Sequence, residues 1–349
     1  MSFFKGIIRA VMAGIVSIVI ISFLLCFYSI TPVHIDNPKG NTDYIWPANS
    51  IWVKVTEGIA FGRYDADGFN NRTVIENPDI IFLGSSHIEA TEVMQDENAP
   101  FLLSEKLEGK YSVYNMGISG HHFYRVCQYL PANLELYDEA PKAVIVETDT
   151  LNVTKDLVDQ IINKSIEHMP SPNNGVVGLL QRIPFFRTAY HQVEEGLLEK
   201  FMPPKGDSAN NPDNSGIETN SNEEESQAKV DGAAYEELFV YFKELEDQYS
   251  TQLIILYQPY EKLNIDGSIS YERDKNADVF KSYSEEYGIT LVDMTKRFED
   301  MYYKEHHVAH GFCTGELATG HLNRYGHAAM ADELYDAILK LEESGEICR

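Results

Sequence analysis

A short apolar run, Ile80 to Leu83, ends abruptly in Gly84-Ser85-Ser86. An apolar run of this length that ends in a turn signal is typical of a strand buried on both faces of a parallel sheet. Open α/β sheets bind their ligands at the carboxyl ends of such strands. The sequence therefore predicts a sheet that presents a serine at its functional edge.

Strand and helix patterns alternate along the chain after residue 78. Apolar runs predict five strands, at residues 79–83, 111–114, 143–146, 253–257 and 289–292. Helical spacing of apolar residues predicts helices at residues 101–107, 123–136, 277–287 and 327–341. Because strands separated by helices form parallel sheets covered on both faces, we expect a three-layer α/β/α fold around a five-stranded parallel sheet.

A long insertion separates the third predicted strand from the fourth. Residues 155–202 carry helical patterns that we interpret as an extra helical layer, with a mobile lid as the alternative. Residues 203–231 lack apolar periodicity and are rich in Asn, Ser, Gly, Asp and Glu, a composition typical of a disordered loop. Both lie within a domain spanning 79–349, which follows an irregular, stalk-like segment, 31–78, expected to pack on it.

The N-terminus is strongly apolar from Ala10 to Ile30, which is long enough to cross a bilayer once. Lys5 and Arg9 precede this run, whereas the first charge after it is Asp36. Positive charge stays on the cytoplasmic side, so residues 1–30 are expected to form a cytoplasmic tip and a single-pass anchor in the cell membrane. The main domain would then be extracellular. A cleaved signal peptide is the alternative, although no A-x-A-like site follows the run.

Charge and cysteine content exclude some classes of function. The net charge of −26 and the lack of a basic stripe argue against nucleic-acid binding. Three cysteines, Cys127, Cys313 and Cys348, would lie outside the membrane, and no C-x-x-C spacing indicates a zinc site. A Cys313–Cys348 disulfide and free thiols both stay open.

Two further motifs complement the serine at the sheet edge. His321 lies in Gly320-His321-Leu322-Asn323, just before the last predicted helix, where it can meet Ser86 across the top of the sheet. A serine hydroxyl becomes a nucleophile when a neutral imidazole removes its proton. Asn115 to Gly120 forms a glycine-containing turn after the second strand. The N–H groups of Ser86 and Gly120 are therefore candidate oxyanion donors.

These three blocks resemble the conserved blocks of the SGNH (GDSL-type) hydrolases. Gly84-Ser85-Ser86 is similar to the G-D-S block, with Ser86 as nucleophile; Asn115–Gly120 is similar to the second block, with Gly120 at the oxyanion position. His321 is similar to the base of the last block. The resemblance implies a flavodoxin-like fold, acyl transfer through an acyl-serine intermediate, and no cofactor.

Two positions depart from the family pattern. Leu151 falls where the third block has an oxyanion-binding Asn, with Thr148, Thr150 and Asn152 as candidate replacements. Ala318 stands three residues before His321, where the family has its triad Asp, and Glu316 is out of register. A neighbouring carbonyl is then expected to orient His321, which would leave a Ser–His dyad.

A membrane-anchored domain with these blocks also resembles the proteins of teichoic-acid D-alanylation and alginate O-acetylation. We therefore expect a serine esterase or acyltransferase acting on an acylated polysaccharide or other cell-envelope polymer, with a membrane-bound acyltransferase as a partner. His87, Asn323 and His310 are the predicted substrate contacts. The alternative is a scaffold protein that has lost its chemistry.

A metal site is the competing interpretation within the enzymes. His306, His307 and His310 form H-H-x-x-H, which could ligate zinc from a helix. The H-E-x-x-H pattern of metalloproteases is absent, because His307 replaces its Glu. We expect a polar loop beside the active site and no metal.

Overall fold

The computed structural model describes residues 2–26, 30–55, 57–163, 183, 185–186, 231–313, 315 and 317–347. The strands in chain order are β1 (Ile35–Asp36), β2 (Tyr44–Ile45), β3 (Ile51–Lys54), β4 (Ala60–Arg63), β5 (Ile80–Leu83), β6 (Val113–Asn115), β7 (Ala143–Thr148), β8 (Gln252–Tyr257), β9 (Tyr260–Leu263), β10 (Ile269–Glu272), β11 (Thr290–Asp293), β12 (His310–Gly311) and β13 (Leu317–Leu322). The helices are α1 (Ser2–Cys26), α2 (Ser86–Glu89), α3 (Ala99–Lys106), α4 (Phe123–Gln128), α5 (Leu130–Leu134), α6 (Lys155–Ile162), α7 (Gly232–Tyr249), α8 (Ala277–Tyr287), α9 (Thr295–Asp300) and α10 (Arg324–Glu343).

Five parallel strands form the central sheet in the order β11-β8-β7-β5-β6. β5 pairs with β6 on one side and with β7 on the other, so that Phe82 lies opposite both Asn115 and Ile145. The strand order therefore reverses beside β5, which is the switch point where sheets of this topology bind ligands. The sheet and its flanking helices confirm the predicted three-layer α/β/α fold.

Alternating side chains of β5 enter two separate cores on the two faces of the sheet. Ile81 and Leu83 pack with helices α4 to α8. Ile80 and Phe82 pack with α3, α9 and α10. Because both faces are covered, every position of the strand is apolar, which is why its sequence is a continuous run.

The helical elements differ from the sequence prediction, and two of the differences concern long helices. The helix predicted at 123–136 is divided into α4 and α5, with Pro131 in the first turn of α5, where a missing N–H is tolerated. Helix α7 was not predicted, although Asp231 caps its first turn. Apart from α6 and residues 163, 183, 185–186 and 231, the predicted insertion lies outside the described residues, so its helical layer and disordered loop stay predictions.

Helix α1 contains an apolar stretch, Phe4–Leu25, with a mean hydropathy of 2.5. The most apolar part of this stretch has no buried residues. Its length and composition suit the predicted membrane anchor and equally a signal sequence. Of the three cysteines that follow α1, Cys127 is buried and free and Cys313 is exposed and free, whereas Cys348 lies outside the described residues.

The segment between α1 and the sheet packs tightly on the domain. It forms two antiparallel pairs, β1–β2 and β3–β4. Asp43 joins the segment to α4 and to Tyr129, which directly follows α4. Its carboxylate accepts from Arg125 Nε at 2.6 Å and from the Tyr129 hydroxyl at 2.8 Å. Burial raises the Asp43 pKa, but hydrogen bonds from His121, Arg125 and Tyr129 outweigh it and hold the pKa well below its usual range. A small core completes the packing, formed by Trp46, Trp52, Ala60 and Tyr64.

Gly117 lies directly against the helix that begins with Ser86. A Cβ at this position would be 2.3 Å from Glu89 N and 2.5 Å from Ile88 C, backbone atoms that cannot rotate away. We expect Gly117→Ala to destabilise the protein by about 1–3 kcal/mol, as overpacking does, and to lower its thermal unfolding temperature. Gly315→Ala is the control, since nothing lies within 4 Å of a Cβ there. Equal unfolding temperatures for the two variants would contradict this packing.

Candidate active site

Ser86 is the first residue of α2, the short helix that follows β5. Ser85 caps this helix, and its Oγ accepts from His87 N at 3.3 Å. Both the N–H and the hydroxyl of Ser85 donate to Glu147 Oε2, each at 2.9 Å. Glu147 lies one residue before the end of β7, so the turn that carries Ser86 is fixed to the neighbouring strand. Burial and the charge of Asp149 raise the pKa of Glu147 to about 7, despite hydrogen bonds from Ser85 and Gln258 that lower it.

His321 lies at the carboxyl edge of the sheet, as predicted, and contacts the serine. Its Nε2 is 2.9 Å from Ser86 Oγ, a hydrogen-bond distance. The residue lies on β13, one residue before the end of the strand, and its side chain is 28% exposed. A base within hydrogen-bond reach of the nucleophile is the first geometric requirement for serine catalysis.

Glu57 supplies the carboxylate that the sequence prediction lacked. Its Oε2 is 2.7 Å from His321 Nδ1, and its Oε1 accepts from the His321 main-chain N–H at 2.6 Å. The arrangement is therefore a Ser86–His321–Glu57 triad, which corrects the expectation of a Ser–His dyad oriented by a carbonyl. Of the two positions considered before the histidine, Ala318 carries no acid and Glu316 lies outside the described residues.

The triad acid comes from an unexpected part of the chain. Glu57 follows β3 in the segment interpreted as a stalk and lies 264 residues before His321. No local motif marks a Glu that only tertiary packing brings to the site. The nearest signal is the composition of the turn, in which Glu57-Gly58 lies between two short strands.

The electrostatics of the pair suit a base held in one orientation. Burial lowers the His321 pKa, but the charge of Glu92 and the hydrogen bond and charge of Glu57 outweigh it and raise this pKa above 6.5. Burial raises the Glu57 pKa, yet the hydrogen bonds and charge of His321 bring it below 4.5. Glu57 is therefore ionised at neutral pH, and its contact with Nδ1 leaves Nε2 to accept the serine proton.

The absence of a side chain at Gly320 makes room for this carboxylate. A Cβ on Gly320 would be 2.0 Å from Glu57 Oε1, and the residue has a φ of +73°. Only glycine meets both conditions without strain. The position of Glu57 therefore requires a glycine directly before His321.

A second buried carboxylate fixes the loop of the predicted oxyanion donor. Glu89 Oε2 accepts from Ser119 N at 2.7 Å and from the Ser119 hydroxyl, while the Tyr64 hydroxyl donates to Oε1 at 2.6 Å. Gly120 follows with a φ of +80°. Within the described part of the chain, the N–H groups of Ser86 and Gly120 have no acceptor. Both stay available for the predicted role.

The third-block candidates are engaged elsewhere. Thr148 Oγ1 donates to Thr150 O, and Thr150 Oγ1 donates to Asp274 Oδ2. Asn152 is exposed, and its Oδ1 accepts from Asn276 Nδ2 at 3.1 Å. These bonds engage the two threonine hydroxyls and the amide oxygen of Asn152 but not its Nδ2, so Asn152 stays the predicted third donor.

Two of the predicted substrate contacts are histidines that lie behind the triad. The ring of His87 is 5.2 Å from that of His321 and 5.7 Å from that of His310. Burial, with the nearby histidines, lowers the His87 pKa well below 6.5, so the ring is neutral. His310 is only 2% exposed, and Gln258 Oε1 is 3.3 Å from its Nε2. His310 therefore packs against His87 in the interior. Its burial does not favour the predicted contact with substrate.

Asn323 has a structural role that accounts for its whole side chain. Its Oδ1 accepts from the N–H groups of Tyr325 and Gly326 and caps α10, while its Nδ2 donates to the carbonyls of Val308 and Gly311. The predicted contact with substrate is corrected, because no donor or acceptor of the amide is left over.

The H-H-x-x-H residues do not converge. His306 is exposed and left-handed, with a φ of +61°, and His307 stacks on Tyr325 at 3.8 Å. His310 lies on β12, beyond the helical turn formed by Met301–Glu305, so the three histidines do not share a helix. The described residues contain no group of three His, Cys, Asp or Glu side chains placed to hold a metal ion.

The three-layer α/β/α fold, with Ser86, His321 and Glu57 in contact at the switch point of its sheet, is the arrangement that the SGNH resemblance leads one to expect. Neither a protein-family model nor a curated protein matches the chain. Solved structures that it matches include the acetyl xylan esterase AlAXEase, at 14% identity and a TM-score of 0.39, over 74% of this chain and 98% of that one. Another is the esterase EstA from Pseudoalteromonas sp., at 15% identity and a TM-score of 0.37, over 76% of this chain and 98% of that one. A third is Est24, a carbohydrate acetylesterase from Sinorhizobium meliloti, at 11% identity and a TM-score of 0.35, over 75% and 98%.

Replacing Glu57 tests the triad through its pH profile. Glu57→Gln removes the charge that raises the His321 pKa and holds the imidazole tautomer. We expect the plateau rate of ester cleavage to fall by roughly 10²–10⁴-fold, as loss of a triad carboxylate does. The acid limb of kcat/KM should move to lower pH, because a neutral neighbour lets His321 lose its proton earlier. An unchanged limb would show that Glu57 does not act on His321.

Gly320 offers an independent test of the same contact. Gly320→Ala should expel the Glu57 carboxylate and reduce turnover to the level of Glu57→Gln. Gly267→Ala is the matched control, because Gly267 has a similar φ of +80° but open space around its Cβ. Both variants carry the left-handed strain of about 1–2 kcal/mol, so only a loss specific to position 320 reports on Glu57. Equal turnover of the two variants would contradict the contact.

Proposed function

We propose that this protein is an extracytoplasmic serine esterase or acyltransferase that forms an acyl-serine intermediate on Ser86. The observation that carries the proposal is the continuous chain of contacts in the triad. Ser86 Oγ lies 2.9 Å from His321 Nε2, and His321 Nδ1 lies 2.7 Å from Glu57. Nucleophile, base and orienting acid thus stand in the order that acyl transfer requires.

The reaction proceeds in two halves. Ser86 Oγ attacks the ester carbonyl while His321 Nε2 takes its proton, and Glu57 stabilises the imidazolium that forms. The N–H groups of Ser86 and Gly120 hold the oxyanion. Its collapse releases the alcohol, which receives the proton from His321. Water or a polymer hydroxyl then attacks the acyl-serine with the same base, and neither half requires a cofactor.

The proposed substrate is an acylated polysaccharide or another polymer of the cell envelope. The apolar span in α1 supports attachment to the bilayer through residues 10–30, and Lys5 and Arg9 before it favour an outward-facing domain. The motif resemblance to teichoic-acid D-alanylation and alginate O-acetylation proteins supports a polymer and a membrane-bound acyltransferase as partners. The acidic charge of the chain argues against nucleic acid as a partner.

The scaffold alternative is less well supported than the enzyme. The altered last block suggested that the triad carboxylate is missing, but Glu57 contacts His321 where that carboxylate would lie. The altered third block, in which Leu151 replaces the oxyanion-binding Asn, remains an argument for the scaffold. A site with two oxyanion donors in place of three would keep the same chemistry at a reduced rate.

Covalent labelling tests the proposal directly. A fluorophosphonate probe should label the protein at Ser86, and hydrolysis of p-nitrophenyl acetate should proceed only while that residue is free. Ser86→Ala should abolish both signals, whereas Ser282→Ala, an exposed serine on α8, should leave both unchanged. Absence of labelling in the folded wild-type protein, or labelling that survives Ser86→Ala, would refute the enzyme proposal.

A further inference from the structure

The segment that delivers the triad acid is also the segment that leaves the apolar helix α1. Ile30 pairs with Val53 of β3, with Ile30 N donating to Val53 O at 2.9 Å and Val53 N donating to Ile30 O at 2.7 Å. Helix α1 ends at Cys26, four residues before Ile30. Because an extended chain advances at most about 3.5 Å per residue, Ile30 lies within about 14 Å of the end of α1 by any path.

The same bound applies to the catalytic acid. Glu57 follows Val53 by four residues, which again span at most about 14 Å. Glu57 contacts His321, and His321 contacts Ser86. Adding the two spans to the Ile30–Val53 pairing and the contacts of the triad keeps Ser86 Oγ within about 45 Å of the end of α1.

Among the described residues, the outer face of the β3–β4 hairpin is largely apolar and exposed, with the exposed Arg63 opposite Ile51 at its end. Val53 lies opposite Phe61, and Ile51 lies two residues earlier on the same face of β3. Ile51 is 58% exposed, Phe61 is 61% exposed, and Ile59, just before β4, is 71% exposed. The opposite face, with Trp52 and Ala60, is buried in the small N-terminal core. Soluble surfaces seldom group large exposed apolar side chains in this way.

We propose that this face, formed by Ile51, Ile59 and Phe61, rests on the lipid surface and places the triad at the membrane interface. The occupant is the bilayer into which α1 inserts, because the short connection leaves the hairpin no room to move far from it. The contact is apolar, so it does not require anionic lipids, which would repel a chain of net charge −26. The proposal rests on the membrane anchoring proposed above, and it implies that the ester substrate is presented at the bilayer surface.

Tryptophan reporters in the full-length protein test the contact. Both native tryptophans are buried, so a new one on the surface can be distinguished from them. The Phe61→Trp variant is reconstituted in phosphatidylcholine vesicles that contain a lipid with a doxyl quencher near its headgroup. Glu139→Trp is the control. Glu139 is exposed and lies just before β7, at the amino ends of the sheet strands, whereas the triad lies at their carboxyl ends. We expect quenching at position 61, none at position 139, and no effect of salt.

Each other outcome identifies what has failed. An intact chain without quenching at position 61 overturns the surface contact and leaves the anchor standing. If the mass of the purified protein shows that α1 has been removed, the anchoring and this proposal both fail. Labelling of Ser86 then still tests the enzyme proposal separately. A shift in emission that follows protein concentration rather than the quencher indicates a second copy on this face and overturns the lipid contact.

A functional measurement adds to the spectroscopic one. Phe61→Asp should leave turnover of soluble p-nitrophenyl acetate unchanged, because Phe61 lies outside the triad and the oxyanion turn. Turnover of a fluorogenic ester embedded in the vesicles should fall several-fold. Phe61→Ser serves as the second variant if the charged one does not fold. An equal loss on both substrates, or on neither, would contradict a role at the lipid surface.

Discussion

The contact between Glu57 and His321 is the interaction on which the site depends. It joins the segment between α1 and the sheet to β13, and both oxygens of the carboxylate are used in it. Its formation requires glycine at position 320 and a hairpin held against the domain. Asp43 provides part of that hold, because it binds α4 through a buried ion pair with Arg125. The N-terminal segment is therefore a structural part of the active site.

The carboxylates around the nucleophile divide into two electrostatic roles. Glu57 is held in its charged form by the histidine it orients, and the charge of Glu92 adds to the raised His321 pKa. Glu89 and Glu147 are buried, which raises their pKa values, and they accept N–H and hydroxyl groups of the two turns that flank the site. A buried acceptor must be satisfied, so these two residues fix the turns while Glu57 acts on the base.

The sequence predicted what local patterns encode and missed what packing brings together. The apolar run of β5, the serine after it and the histidine before α10 are each set by neighbouring residues, and the structure places them as expected. Glu57 could not be found in this way, since no periodicity or motif relates a turn residue to a histidine 264 positions away. Asn323 shows the opposite error: a polar residue in a family motif was assigned to substrate, yet its amide is consumed in capping a helix. Helix α7 was missed for a simpler reason, because a polar insertion precedes it and obscures its start.

The distribution of buried polar groups argues for chemistry over a passive role. Burying a carboxylate is costly, and well-packed apolar residues often stabilise a fold at least as well as a buried ion pair. Here three buried or half-buried acids, Glu57, Glu89 and Glu147, bind His321 and the two turns beside Ser86. Titratable groups with pKa values shifted in opposite directions are characteristic of functional sites. A scaffold would need the sheet and its helices but would have no physical reason to keep a histidine at hydrogen-bond distance from a partly exposed serine, oriented by an acid from the far end of the chain.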